Sequence, residues 1–223
     1  MDARVWRERK PASAGGTARR KRDPVRTRQE ILDVASVEFA ENGFSGGNTD
    51  AIAARAKVTK RLVFYYFKTK EDLFVEVLHE AYAKIRAAET CLGLDALAPE
   101  DAIRKLVEFT FDYDNANPGF VRLVMIENIH RGRHLAASDR SREISRPIID
   151  QIDRLLKRGA AQGVVRADLD AVALHRVVSA LCFFSVSNRH TFDALFSARR
   201  QSKRDRAKLK ADIVDVVWRY VRA

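Results

Sequence analysis

Apolar residues recur three and four positions apart along most of this chain, and strict alternation of apolar and polar residues is hard to find. That periodicity predicts an all-α fold of about nine helices. The first is expected from Pro24 to Asn42, with Ile31, Leu32, Ala35 and Phe39 on one face and Asn42-Gly43 as its stop. Asn48 caps a short second helix whose Ile52, Ala53 and Ala56 face a small core, with Asp50 near the positive end of the helix dipole. A turn at Ala56-Lys57-Val58 leads to Thr59, the cap of a third helix. A fourth begins at Thr69-Lys70-Glu71, and its stripe of Leu73, Phe74, Val77, Leu78, Ala81, Tyr82 and Ile85 is long enough to join a small head to a larger body.

The remaining helices are longer and more apolar. Pro99 starts one carrying Ile103, Leu106, Val107 and Phe111. Asn117-Pro118 starts another in which Phe120 to Ile129 leave little polar face, so it is expected to be buried. Pro147 opens or kinks a third, with Ile148, Ile149, Ile152, Leu155 and Leu156, ending near Gly163. From Leu169 to about Asn188 apolar side chains point in nearly every direction, which requires cover on both sides. Residues 199–210 are a very basic linker or helix start, and the last helix carries Ile213 to Val221. These last two helices hold more apolar surface than one small body needs, and the surplus predicts a homodimer through them. The organisation read from the sequence is a disordered basic arm over 1–23, a helix-turn-helix unit over 24–72 and a helical body over 73–223.

Charge sharpens the picture. The net charge is +11, and residues 1–28 carry ten basic against three acidic side chains. Between Ala51 and Lys70 there are six basic residues and no acidic one. Two short helices, the second basic and aromatic, are the parts of a helix-turn-helix that lays one helix in a DNA major groove. The arm beside it suits phosphate and minor-groove contact, or is a solvated tail. Cys91 and Cys182 have no metal-ligand spacing, the N-terminus lacks an apolar segment, and no run of eighteen apolar residues exists. The expectation is a soluble, cytoplasmic, nucleoid-associated protein with no membrane partner. Nucleophile-elbow, phosphate-loop, dinucleotide and zinc-helix motifs are missing, so no catalytic residue, cofactor or metal is assigned. Glu127, His130 and His134 would share a helical face, as a metal site or as ordinary polar partners.

The order EFAENGF, Asp50-Ala51-Ile52-Ala53, Ala56-Lys57-Val58-Thr59, Phe64-Tyr65-Tyr66-Phe67 and Lys70-Glu71-Asp72-Leu73 resembles the DNA-binding domain of the TetR/AcrR family of bacterial transcriptional regulators. The resemblance implies three helices in a DNA head and the rest in a ligand-binding and dimerisation body. It places Asn48 and Thr49 against phosphate, and Thr59, Lys60, Arg61 and Leu62 at the exposed start of the recognition helix. There Lys60 or Arg61 would take a guanine and Leu62 a thymine methyl. Tyr65 and Tyr66 fall against the sugar-phosphate backbone and Lys70 near a phosphate, while Phe64 and Phe67 are expected in the core. Two positions depart from the family: Lys57 and Arg61 stand where glycine is usual or frequent, and a lysine at positive φ costs up to about 1 kcal/mol. Phe109, Tyr113, Met125, Asn128, Phe183 and Phe184 are candidates for an effector pocket or plain core. Asn188 and His190 join Asn128 as polar groups needing partners, protein or ligand, and Asn188 is counted as the seventh pocket candidate. The function implied is a repressor of a palindromic double-stranded operator, released by a small apolar or aromatic effector, with the fourth helix as lever. The alternatives are a non-specific architectural DNA binder and an all-helical enzyme with an unmarked pocket.

Overall fold

Cap chemistry sets where the helices begin. In the computed structural model, which describes residues 23–196 and 202–223, Asp23 accepts from the Val25 N–H and Pro24 opens α1, Pro24–Gly46. Its geometry breaks at Gly43 (φ 73°), so the regular helix stops at the expected Asn42-Gly43. Asn48 accepts from the Asp50 and Ala51 N–H groups to start α2, Thr49–Arg55. Thr59 accepts from Leu62 to start α3, Lys60–Phe67, and Thr69 from Asp72 to start α4, Lys70–Thr90. Prolines open α5, Pro99–Ala116, and α6, Pro118–Ile129. There follow α7 (Arg133–Ala136), α8 (Asp139–Ala161), α9 (Ala171–Ser187), α10 (Arg189–Leu195) and α11 (Lys203–Val221). The predicted arm and part of the basic run 199–210 lie outside the described residues.

Against the nine helices expected, eleven are present among the described residues, because α7 and α10 fold in segments too short to show a period. α8 starts at Asp139, ahead of Pro147, which sits inside it on an exposed position. There the carbonyl that loses its N–H partner can turn to water.

Two apolar cores form. The head core joins Ile31, Leu32 and Phe39 of α1, Ile52 of α2, Val63 and Phe67 of α3, and Leu73, Phe74, Val77 and Leu78 of α4. It also takes in Leu123 of α6. The body core joins α5, α8, α9 and α11 through residues such as Ile103, Val107, Ile152, Leu155, Leu174, Val178 and Val217. α6 lies between the two and is less buried than expected: Val121, Leu123 and Glu127 are inside, while Ile129 at its end is 77% exposed. α9 buries one face only. Leu174, Val178, Cys182 and Val186 are inside, whereas Val172 and Phe184 stay half exposed, because a single chain supplies no second cover.

A polar corner fastens α6 to the head. The buried Glu127 side chain accepts through Oε1 from the backbone N–H groups of His134 (2.9 Å) and Leu135 (3.0 Å). Its Oε2 lies 2.6 Å from His134 Nδ1. The His134 ring in turn packs against Phe44 and Phe74 of the head, with centroids 4.8 and 5.0 Å away. Glu127 and His134 are therefore partners to each other, and the His130 ring meets that of His134 edge to face at 5.3 Å. Nearby, Glu76 of α4 receives Arg28 of α1 and Arg140 of α8, and His79 Nε2 lies 3.1 Å from Ser141 Oγ. Glu127→Ala leaves two backbone donors and an imidazole without an acceptor in a buried corner. The expected loss is about 3 kcal/mol, read from urea unfolding; a loss within the error of the fit would mean that the corner is not structural.

Candidate DNA-reading face and effector cavity

α3 is two turns long, roughly 12 Å at 1.5 Å per residue, and a helix with its side chains is about 10–12 Å across, which matches the width of a major groove. Val63 and Phe67 pin it to the head, and Phe64 is only half-buried. The opposite side is open: Thr59, Lys60 and Arg61 are exposed, and Tyr65 is 77% exposed. Tyr66 differs from the expectation, since it is half-buried and packs on the head core with its ring edge-on to Tyr65. Leu62 and Thr49 are also half-buried, and Asn48 is exposed with its Oδ1 used in capping α2. Lys60 Nζ reaches Asp50 of α2 at 2.8 Å, an exposed pair of small energetic weight that DNA can displace. Lys70 donates to the Ser45 carbonyl at 3.2 Å and lies over the Phe44 ring. Arg61 has no ion-pair partner among the described residues.

The position of α2 is fixed from behind. Buried Glu38 of α1 accepts from the Asn48 N–H (3.1 Å) and pairs with Arg55 at the far end of α2 (3.3 Å). Lys57 adopts φ 55° in the turn, as its place in the motif predicts, and Lys68 closes α3 at φ 52°. Lysines at positive φ cost about 1 kcal/mol each, and here they bracket the helix that carries the exposed basic side chains.

A second site lies in the body, where four helices each contribute side chains one turn apart to a cavity of about 150 Å³. From α4 come Tyr82, Ile85, Arg86 and Glu89; from α5, Thr110 and Asp114. α6 adds Phe120 and Val124, and α9 adds His175, Ser179 and Phe183. Arg86 donates from Nη1 to Glu89 at 2.6 Å and lies 3.5 Å from His175 Nε2, while its buried Nε has no acceptor. Burial pushes the Glu89 carboxyl up to about 7 against the pull of Arg86, and pushes Asp114 up to about 7 as well. Burial, followed by the Arg86 charge, holds the His175 imidazole down at about 4, so it is neutral at physiological pH.

The seven side chains proposed from the sequence for a pocket are not brought together. Phe183 lines the cavity. Phe184, one residue on, turns to an apolar groove of about 550 Å³ that α9 forms with Phe192 of α10 and Leu209 and Ile213 of α11. Tyr113 faces a separate groove beside α1, with the Phe109 ring tilted against it, and Met125 is half-buried. Asn128 is exposed and donates to the Val124 carbonyl; Asn188 accepts from Ser187 at the end of α9; His190 is exposed. Sequence reasoning missed Arg86, Glu89, Asp114 and His175. The signal for them was a charged residue continuing an apolar helical stripe, as Arg86 and Glu89 continue Tyr82 and Ile85. Among the described residues no single helix is long and apolar enough to cross a membrane.

Comparisons with known proteins agree with this geometry. A family model described as "Bacterial regulatory proteins, tetR family" matches residues 31–77, and "Tetracyclin repressor-like, C-terminal domain" matches residues 99–217. The HTH-type transcriptional repressor NicS of Pseudomonas putida is 36% identical over 197 residues, covering 88% of this chain and 93% of its own. Among solved structures, the ketosteroid transcriptional regulator KstR2 of Mycobacterium tuberculosis shares the fold with a TM-score of 0.62 at 19% identity, over 88% of this chain and 95% of that one. The regulator FadR of Bacillus subtilis, solved with stearoyl-CoA, does so with a TM-score of 0.63 at 16% identity, over 85% and 96%. The chain belongs to the TetR family of bacterial regulatory proteins and is a DNA-binding transcriptional repressor of the helix-turn-helix kind.

Proposed function

We propose that this repressor works as a two-fold homodimer whose α3 helices enter successive major grooves of a palindromic operator, and that a small molecule in the body cavity releases it. The observation that carries the reading is the double attachment of α6. Phe120 and Val124 line the cavity, while Leu123 sits in the head core and Glu127 grips the corner against Phe44 and Phe74. A ligand that spreads α4 from α9 must shift α6, and α6 cannot shift without carrying the head. Release is then a population shift toward a dimer whose two α3 helices no longer match the spacing of about 34–36 Å between half-sites. The sequence singled out α4 as lever; α4 lines the same cavity through Tyr82 and Arg86 and feeds Leu73 into the head, so the two helices act together. The ligand is sensed and not turned over.

On the head, Arg61 and Lys60 are the base readers, Thr59 and Tyr65 contact the backbone, and Asn48, Thr49 and Lys70 meet phosphates at helix starts. Leu62 and Tyr66 support this face from partly covered positions. The dimer forms through α9 and α11, where Val172, Phe184 and Val216 remain exposed, with Phe192 and Leu195 of α10 continuing the apolar surface.

Arg61→Ala is expected to weaken binding to the protein's operator by about 10–100-fold, the value of one base contact, without changing the melting temperature. A gel shift against unrelated competitor DNA measures this, and unchanged affinity would remove Arg61 from the reading face. Phe184→Asp places a charge in the dimer face. Sedimentation should show monomer, and operator affinity should fall at least about 100-fold as the two heads lose their linkage; a dimer of undiminished stability would move the interface elsewhere. The cavity carries a cost that pH exposes. Folded Asp114 keeps its proton up to about pH 7, whereas the unfolded chain releases it near the ordinary value of 3.8. Stability from this group therefore falls as pH rises through that window and is flat above it. Asp114→Asn should raise the melting temperature by at least about 3 °C above pH 8, with the gain shrinking toward pH 4; a gain independent of pH would show that Asp114 is not the group responsible.

A further inference from the structure

We infer that the cavity between α4, α5, α6 and α9 takes a molecule of single-ring size that offers a hydrogen-bond donor to Asp114 and an acceptor to Arg86. This rests on the reading of that cavity as the effector site and specifies the chemistry that the site recognises.

Size sets the first limit. The cavity holds about 150 Å³, the volume of an engineered cavity that accepts benzene. Its apolar walls are largely flat: the Tyr82 and Phe120 rings meet edge to face at 5.5 Å, and Phe183 lies on α9 among the lining side chains. Such walls favour a planar ring over a flexible chain.

The polar atoms set the second limit, because most of them are already partnered. The Thr110 hydroxyl donates to the Leu106 carbonyl at 2.8 Å. Ser179 Oγ lies 3.4 Å from His175 Nδ1, and Arg86 Nη1 is held by Glu89. Two groups remain. Arg86 Nε is buried with no acceptor, and Asp114 is only 3% exposed with no donor to its carboxyl among the described residues. Buried polar groups are almost always paired. Two unpaired groups of opposite sense in one small cavity describe a complement: the ligand accepts from one and donates to the other.

Other ligand chemistries leave a mismatch. A hydrocarbon would strand both groups. A ligand with acceptors alone would face the Asp114 and Glu89 carboxyls, and one with donors alone would face the Arg86 guanidinium. A site built to hydrogen-bond its ligand rejects analogues that lack the matching group, because its own buried atoms are then left unpaired. The residues that discriminate are accordingly Asp114 and Arg86, and the rings supply affinity without selectivity.

The test is calorimetric titration of the full chain at pH 8, where the Asp114 carboxyl has given up its proton and only accepts, with one-ring probes of graded chemistry. 4-Hydroxybenzamide carries a donor and acceptors, phenol lacks the carbonyl acceptor, acetophenone has an acceptor alone, and toluene has neither; stearic acid is the long-chain control. The expected result is that 4-hydroxybenzamide binds at least about tenfold more tightly than phenol or acetophenone, with toluene weakest. Asp114→Leu should erase its advantage over acetophenone, and Arg86→Met its advantage over phenol. The ranking on the unaltered protein needs no variant, so a misfolded mutant does not weaken the test. Binding of toluene or stearic acid in preference to 4-hydroxybenzamide would overturn the proposal, as would no binding of any probe at millimolar concentration.

A parallel gel shift separates this inference from the reading beneath it. The expected ranking with operator still bound would keep the ligand class and remove the cavity's role as effector site. Release of operator by stearic acid, unchanged in Asp114→Leu, would overturn the ligand class and leave the repressor reading intact.

Discussion

The grip of Glu127 on the start of α7 is the contact on which the rest of this architecture depends. One side chain satisfies two backbone N–H groups and an imidazole, and it does so in a buried corner where an unpaired donor would be costly. Because His134 is also wedged against Phe44 and Phe74, the end of α6 belongs mechanically to the head. The start of the same helix belongs to the body through Phe120. α6 is three turns long, too short to bend far without breaking its own hydrogen bonds. It is therefore placed to transmit displacement instead of absorbing it, and with α4 it links the head core to the body.

The local parts of this design were legible in the sequence. Asn48, Thr59 and Thr69 announce helix starts through side-chain oxygens, Pro99 and Pro118 through fixed φ, and Gly43 a stop through its left-handed backbone. These signals act over a few residues, so a linear reading finds them. α7 and α10 escaped because one or two turns carry too little periodicity, and α10 follows α9 with only Asn188 between them. The extent of burial on α6 and α9 was overestimated for another reason. Apolar character shows that a face wants cover but not that the same chain provides it.

The body cavity was legible only in fragments, and Phe183 and Phe184 show why. Neighbours on a helix point about 100° apart, so one enters the cavity and the other the outer groove. A search weighted toward aromatic and apolar positions cannot choose between them. What defines the cavity is the convergence of short ladders from four helices distant in sequence, and its distinctive members are charged. Their burial is unfavourable for folding, which supports the proposed role in recognition over one in packing.

That arrangement has a consequence for how such a protein changes over time. Each helix supplies one wall, and each wall is two to four side chains on a stripe whose other members build a core. A single replacement at Asp114, Val124 or Ser179 thus re-dresses one wall while the helices, the α6 strut and the head stay in register. Under the proposed reading, chemical taste and transmission are inherited separately, and the lineage can trade one signal molecule for another without relearning how to let go of DNA.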